Sequence, residues 1–283
     1  MKIVEKLNEL RAVVQAWKQS ELTIGFVPTM GNLHAGHLSL VELAQQRCDK
    51  VVVSVFVNPM QFEPDEDFDC YPRTFQADSE KLAALSVDVV YVPSVPEMYP
   101  NGLAQSVVSV PSVLTGLLEG ASRPGHFNGV STVVCKLFNM VQADVAVFGQ
   151  KDYQQLRVIQ QMVQDLNMPI EVVSAPIARD EDGLALSSRN QYLSRAERAI
   201  APKLSVALKD IALAIESGND NFTTLTEVAT QRLLDEGFDS VDYLQVCNSI
   251  TLQVAERDCQ SLVVLAVACL GSTRLLDNRK VKK

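Results

Sequence analysis

Through the first two-thirds of the chain, short runs of nearly continuous apolar and β-branched residues alternate with longer stretches whose apolar positions recur at helical spacing. Thr23 to Thr29 (TIGFVPT), Val51 to Asn58 (VVVSVFVN), Val87 to Pro93 (VDVVYVP), Ala143 to Gly149 (ADVAVFG) and Ile170 to Pro176 (IEVVSAP) read as strands. They lack the in–out alternation of a half-solvated sheet, so both faces should be covered, as in a parallel sheet. His34 to Arg47, Thr74 to Leu85, Val130 to Val141 and Tyr153 to Leu166 fit helices between them. The opening residues MKIVEKLNELRAVVQAWK spread charges among apolar positions and fit an amphipathic helix. Strand–helix alternation predicts a doubly wound, Rossmann-like α/β sheet, with ligands bound beyond the carboxyl ends of its strands.

The pattern changes near Arg179, where ARDEDGLALSSRNQYLS is polar and contains glycine, as a loop or hinge would. Helical stretches follow at about Arg195 to Ser217 and Phe222 to Gly237, then strand-like SVDYLQVC, LVVLAVACL and TRLLDN. The expected division is a Rossmann-like domain over 1–178 and a smaller α+β domain over 179–283.

A formal net charge of −9 argues against a nucleic-acid binder, which needs a basic face, but leaves room for a local cationic pocket around a small anion. The longest apolar run, Leu262 to Leu270, is too short to span a bilayer as a helix, and the charged N-terminus does not fit a signal peptide. Cys48, Cys70, Cys135, Cys247, Cys259 and Cys269 are scattered without a C-x-x-C pair. That usage predicts free thiols, no structural zinc and a reduced, cytoplasmic setting.

Polar residues collect after four of the strands. His34 and His37, two of the chain's three histidines, lie three residues apart in PTMGNLHAGHLSLV, where a strand gives way to a helix. On a helix that spacing puts both on one edge. Gly31 and Gly36 let a ligand approach the backbone, and a helix N-terminus favours anions. The competing reading has one histidine capping or packing and the other exposed. A zinc site lacks a third ligand nearby and the i, i+4 histidine pair with glutamate of metalloproteases. Lys151 and Arg189 are candidate phosphate clamps, a point charge and a bidentate fork, or else solvated surface cations. Asn58 and Gln61 follow a buried strand, and buried amides need partners from a hydroxy or carboxylate ligand or from a neighbouring loop. His126, in the RPGHFNGV turn entering a helix, is a catalytic candidate or, as lone loop histidines more often are, a structural residue. The acidic run EPDEDFD, Glu63 to Asp69, lacks calcium-loop spacing and reads as a solvated loop. These residues point to an α/β enzyme that handles a nucleotide or another phosphorylated ligand.

The H-A-G-H stretch resembles the H-x-G-H motif of the nucleotidyltransferase superfamily, and LSSRN lies where that superfamily carries its second phosphate-binding motif. More narrowly, PTMGNLHAGHLSLV, SVFVNPMQF, YPRT, RPGHFNGVSTVV, VFGQKDYQQL, RDEDGLALSSRN and TRLLDN resemble, in order, the pattern of the pantoate–β-alanine ligase family. The resemblance implies ATP-dependent condensation of pantoate with β-alanine through a pantoyl adenylate. It implies ATP as substrate with Mg²⁺ travelling on it, no tightly bound cofactor, and a homodimer. It places the nucleotide at Met30, Gly31, Asn32, Leu33, His34, Ala35, Gly36, His37, Gly149, Gln150, Lys151, Asp152, Ala178, Leu186, Ser187, Ser188 and Arg189. Chemistry would fall to His37, His34, Lys151 and Arg189, ribose contact to Gly149 and Asp152, and pantoate to Gln61, Gln155 and Asn58. By the same resemblance the first domain binds nucleotide and pantoate, and the second acts as a lid. The chain departs from the family pattern at Asn32, where small residues are frequent, at Gln150, where glutamate is usual, and at Leu186, where methionine is usual. The rival readings are a nucleotidylyltransferase that keeps the adenylate in its product, and a nucleotide-binding protein with an inactive site.

Overall fold

The computed structural model describes residues 1–63 and 68–282. Residues 64–67, within the acidic run expected to be a solvated loop, lie outside the described residues. The chain divides into two units, Met1–Gly149 with Gln155–Ala175, and Gln150–Gln154 with Pro176–Lys283.

The first unit runs β1 (Lys2–Val4), α1 (Leu7–Gln19), β2 (Ile24–Thr29), α2 (Ala35–Arg47), β3 (Lys50–Val55), α3 (Phe75–Ala84) and β4 (Val89–Tyr91). The short helices α4 (Val95–Met98), α5 (Ser112–Thr115) and α6 (Leu118–Ser122) follow. Then come α7 (His126–Val141), β5 (Val145–Gly149), α8 (Tyr153–Asp165), whose first two residues belong to the second unit, and β6 (Glu171–Ala175). The strands make a parallel sheet in the order β1-β4-β3-β2-β5-β6. Alternate side chains of β2 enter different layers, as the two-residue period of a strand requires. Val27 joins Val41 and Ala44 of α2 in one core, and the Phe26 ring meets Phe138 of α7 edge-on at 6.3 Å. Phe138 in turn meets Phe148 of β5 at 6.2 Å. Helices therefore cover both faces, which is why the strands are apolar throughout. β3 and β5 lie on opposite sides of β2, so the strand order switches between β2 and β5, the place where such sheets bind ligands.

The N-terminus corrects the sequence expectation of one helix. β1 pairs with β4, and α1 begins only at Leu7, whose N–H donates to the Glu97 carboxylate at 2.9 Å. The β-branched Ile3 and Val4 suit the sheet edge, and a carboxylate satisfies a helix-start donor that Lys6 does not. α7 starts four residues before the expected Val130, so His126 is helical and buried and does not lie in a loop. Asn58, expected at a strand end, caps a 3-10 turn over Pro59–Gln61.

The second unit carries a 3-10 turn at Ser188–Tyr192, then α9 (Arg195–Ile200), α10 (Lys203–Glu216) and α11 (Phe222–Asp235). They precede the antiparallel sheet β7 (Ser240–Asn248), β8 (Ser261–Leu270) and β9 (Thr273–Lys282). Leu204, Leu208, Ile211 and Ile215 of α10 pack with Phe222 and Leu233 of α11 on Val264, Ala266 and Ala268 of β8. The single helix expected over Arg195 to Ser217 is two, because Pro202 has no N–H to continue the ladder and its ring excludes the carbonyl four residues back. The segment expected to be a loop or hinge is a tight hairpin. Asp180 N–H donates to Leu184 O at 2.9 Å, Leu186 N–H to Ala178 O at 2.9 Å, and Gly183 turns the chain at φ +92°.

Candidate active site

In the first unit, the chain leaving β2 passes through Gly31 at φ +83° and Asn32 at φ +50°. Asparagine tolerates that left-handed backbone better than most side chains, which gives Asn32 a reason to stand there. A fully buried carboxylate holds the loop from behind. Asp78 of α3 accepts from Asn32 N–H at 2.8 Å, Leu33 N–H at 2.7 Å and the Thr74 hydroxyl at 3.1 Å. Lys81, one turn on, donates to Leu33 O at 2.6 Å. A side chain at Gly31 would meet Asp78 Oδ2 at 3.2 Å.

His34 is the N-cap of α2 and His37 its third residue. His34 Nδ1 accepts from Gly36 N–H at 3.1 Å, and His37 Nδ1 accepts from His34 N–H at 3.3 Å. The imidazoles thus cap one another's turn, as serine and glutamate do in a capping box. The i, i+3 edge is present, with ring centroids 4.1 Å apart. A ring nitrogen that accepts carries no proton, so each neutral ring holds its hydrogen on Nε2. Capping therefore engages Nδ1 of both side chains and does not require Nε2. The two readings of the histidines, cap or ligand contact, are compatible. Ala35 and Gly36 fill the first turn between them, where N–H groups lack partners within the helix.

Gln61 ends the 3-10 turn that follows β3. Its Nε2 donates to Met30 Sδ at 3.3 Å, which joins the β2 end to the β3 end, and its Oε1 accepts from Asn58 Nδ2 at 3.2 Å. Its carbonyl accepts from His126 Nδ1 at 2.8 Å and Arg123 Nη2 at 3.2 Å. Because a carbonyl only accepts, Nδ1 of His126 bears the proton and Nε2 accepts from Arg123 Nη1 at 3.2 Å. Asn58 is buried with its amide engaged on both atoms. Nδ2 also donates to Gly129 O at 3.2 Å, while Oδ1 accepts from the Tyr99 hydroxyl at 2.6 Å and Met60 N–H at 3.3 Å. Burial holds the Tyr99 hydroxyl's pKa well above its ordinary value, so it stays a donor. α7 touches the Gln61 turn so closely that a Cβ on Gly129 would lie 2.1 Å from Met60 O. Gly149 ends β5, and Gln155 lies half-buried in the first turn of α8.

The second unit carries Gln150, Lys151 and Asp152. Lys151 Nζ lies 3.7 Å from Asp152 Oδ1, with the lysine mostly covered and the aspartate half exposed. Asn278 of β9 donates Nδ2 to Gln150 O at 2.9 Å and Lys151 O at 2.8 Å, and its Oδ1 accepts from Gln150 Nε2 at 3.4 Å. Arg179 grips the neighbouring Asp277 with both Nη atoms, at 2.7 and 2.8 Å, and donates to Ser205 Oγ at 3.0 Å and Gly183 O at 2.9 Å. Ala178 and Leu186 face each other across the hairpin as backbone partners. Ser187 caps the 3-10 turn by accepting from Arg189 N–H at 3.3 Å, and Ser188 and Arg189 open that turn half-buried. Lys151, Ser187 and Asn190 line one cleft.

The structure thus gathers the predicted residues into two sets. Met30, Gly31, Asn32, Leu33, His34, His37, Asn58 and Gln61 form one in the first unit; Gln150, Lys151, Asp152, Ser187, Ser188 and Arg189 belong to the second. Sequence reasoning missed Asp78, Lys81 and Asn278. Asp78 left a trace, as a carboxylate on the apolar stripe Phe75, Asp78, Leu82, Leu85 of a helix.

Comparison with known proteins fits these motifs. The Pantoate-beta-alanine ligase family model matches residues 2–280. A pantothenate synthetase of Hydrogenovibrio crunogenus is 59% identical over 98% of each chain. The crystal structure of pantothenate synthetase from Thermus thermophilus superposes with a TM-score of 0.93 at 43% identity, covering 100% of both chains. That of the pantoate–β-alanine ligase from Francisella tularensis, complexed with β-γ ATP and β-alanine, gives 0.82 at 33% identity over 99% of this chain and 97% of that one. With paired histidines at the head of α2 and a match that runs almost end to end, the chain belongs to the pantoate–β-alanine ligase family.

Proposed function

We propose that this protein condenses pantoate with β-alanine at the expense of ATP, releasing AMP and pyrophosphate. A pantoate carboxylate oxygen attacks the α-phosphorus, and the bond to the bridging oxygen of pyrophosphate breaks. The β-alanine amine then attacks the acyl carbon of the adenylate, loses a proton and expels AMP. The observation that carries this reading is the reciprocal histidine cap, which fixes two Nε2–H donors at a helix N-terminus within a full-length family match.

Phosphoryl chemistry of this kind needs positioning and charge neutralisation more than a covalent nucleophile. His34 and His37 donate to the triphosphate, His37 as acid or electrostatic catalyst as charge moves to pyrophosphate. Lys151 and Arg189 neutralise that charge, Ser187 and Ser188 donate to phosphate oxygens, and Met30 to Gly36 line the nucleotide. Gly149 and Asp152 take the ribose, with Gln150, Ala178 and Leu186 alongside. Gln61 and Gln155 hold pantoate. Asn58, whose amide is engaged within the protein, serves pantoate through Gln61. Mg²⁺ would travel on the phosphates of ATP.

We read the C-terminal domain, from residue 179, as the lid and the protein as a cytoplasmic homodimer. All six cysteines are free thiols, which supports a reducing compartment, and among the described residues no helix is long and apolar enough to cross a membrane. Light scattering on the purified protein checks the dimer. The test of function is AMP release from MgATP with pantoate and β-alanine supplied separately and together. AMP only with both, alongside pantothenate by mass spectrometry, is the expected result. An adenylylated product that persists, or ATP binding without turnover, overturns it.

A further inference from the structure

The family resemblance covers TRLLDN without giving it a task, and the structure supplies one. Lys151 follows β5, yet residues 150–154 belong with the C-terminal unit. Contacts from that unit hold the segment. Asn278 donates to two successive carbonyls, Gln150 O and Lys151 O, at 2.9 and 2.8 Å. Two residues on, the Tyr153 hydroxyl donates to Ser249 O at 3.0 Å, and Lys280 of β9 lies over its ring at 5.7 Å.

Asn278 is itself fixed. It is 1% exposed, and its N–H donates to Asp277 Oδ1 at 2.7 Å. That carboxylate is the one Arg179 grips with two nitrogens. Alternation along β9 sends the Asp277 side chain toward Arg179, which also donates to Ser205 of α10, and the Asn278 side chain to the other face. Only an amide meets the demand at that place. Both carbonyls require donors, Gln150 Nε2–H requires an acceptor, and asparagine supplies two hydrogens and an oxygen from one planar group.

We propose that Asn278 is a positioning residue for Lys151: its amide fixes the Gln150–Lys151 backbone and so sets where the lysine ammonium meets the charge that moves to the departing pyrophosphate. This rests on the proposed reaction and on Lys151 acting in it. Asn278→Asp keeps the shape but turns a carboxylate oxygen toward two carbonyl oxygens. Displacement of a charged group by about 1 Å costs on the order of 100-fold in rate.

The experiment is a double-mutant cycle on AMP release, with wild type, Lys151→Ala, Asn278→Asp and the double variant, and with kcat, KM for each substrate and thermal midpoint measured for all four. Expected is a loss of roughly 100-fold in kcat for Asn278→Asp with KM for pantoate nearly unchanged, shrinking to under about 3-fold in the Lys151→Ala background. Equal losses in both backgrounds, or a loss that follows the thermal midpoint, would make Asn278 structural only and overturn the proposal. If Asn278→Asp does not fold, Asn278→Ser, which keeps one donor, is read through the same cycle. A wild type that releases no AMP with both substrates present overturns the reaction itself, a result distinct from an active enzyme with additive variants.

Discussion

The histidine loop after β2 and the lysine segment after β5 carry the residues we propose as donors to a polyphosphate, and they are built in opposite ways. In the histidine loop the candidate side chains support their own backbone: His34 and His37 both cap α2 with Nδ1. In the lysine segment support and function are separate residues, since the Lys151 carbonyl is held by Asn278, 127 positions away. Self-support couples stability to chemistry, and remote support lets one change without the other.

The largest expected effects test that coupling. In Gly129→Ala the new Cβ would stand 2.1 Å from Met60 O, backbone against backbone. Overpacking of this severity costs about 3 kcal/mol. Calorimetry should show a markedly lowered unfolding temperature, with KM for pantoate raised in whatever folds. Next, His37→Asn places an amide oxygen near the Nδ1 position and nothing at Nε2. The cap persists, the thermal midpoint moves little, and kcat falls by about 10²- to 10³-fold, the usual consequence of removing one transition-state donor. Near-wild-type turnover would sink the catalytic assignment. A large loss of stability would mean that the ring's packing, not its cap, holds the turn.

Asp78→Ala addresses the part of the histidine loop that does not support itself. It leaves Asn32 and Leu33 N–H without their carboxylate, and each buried orphan costs about 1–3 kcal/mol. Urea unfolding should report that loss, and ATP affinity should fall with it because the Gly31–Leu33 backbone is released. If ATP affinity holds while stability drops, the loop is fixed by the histidine cap and Gly31 conformation without the clamp. A smaller effect belongs to Tyr99→Phe, which removes one of the two donors on Asn58 Oδ1 and costs about 1 kcal/mol, read by the same titration.

What could be read from sequence follows the same division. The alternation of apolar runs with helical stretches located β2 to β6 and the longer helices α2, α3, α7 and α8, because burial on both sheet faces leaves continuous apolar runs; it did not show the short helices α4, α5 and α6. It failed at β1, three residues beside a helix pattern, and at Pro202, where a breaker was read through. The histidine pair was visible because cap, spacing and chemistry coincide in one short stretch. Asp78 was half-visible, a charge on an apolar stripe. Asn278 could not be found by any local rule, since its meaning lies in its contacts to Gln150 O and Lys151 O, 128 and 127 positions away. Asn58 was legible as a polar residue near a strand end and His126 as one in a turn entering a helix, but only the structure shows them spending hydrogen bonds on the Gln61 turn.

The smallest expected effect separates the inner and outer supports of the hairpin that leads to Ser187 and Arg189. Inside, Arg179 grips buried Asp277. Outside, Arg198 donates to Asp182 at 2.5 Å and Asp180 at 2.9 Å, with about a third of its side chain exposed. The hydrogen bond from Arg198 holds the Asp182 carboxyl below its ordinary range. A depressed folded value means the stabilisation is present above the unfolded carboxylate pKa and disappears as pH falls through the folded one. Exposure and screening keep it near the surface-pair range of about 0.2–1 kcal/mol. Arg198→Ala should therefore unfold slightly more easily than wild type in urea at pH 7. The gap should close once the pH has fallen below the depressed folded value, where Asp182 is protonated in both states. A gap that persists unchanged in acid would show that Arg198 acts through packing of its stem, and a gap of several kcal/mol would show that the outer support carries what we assign to Arg179 and Asp277.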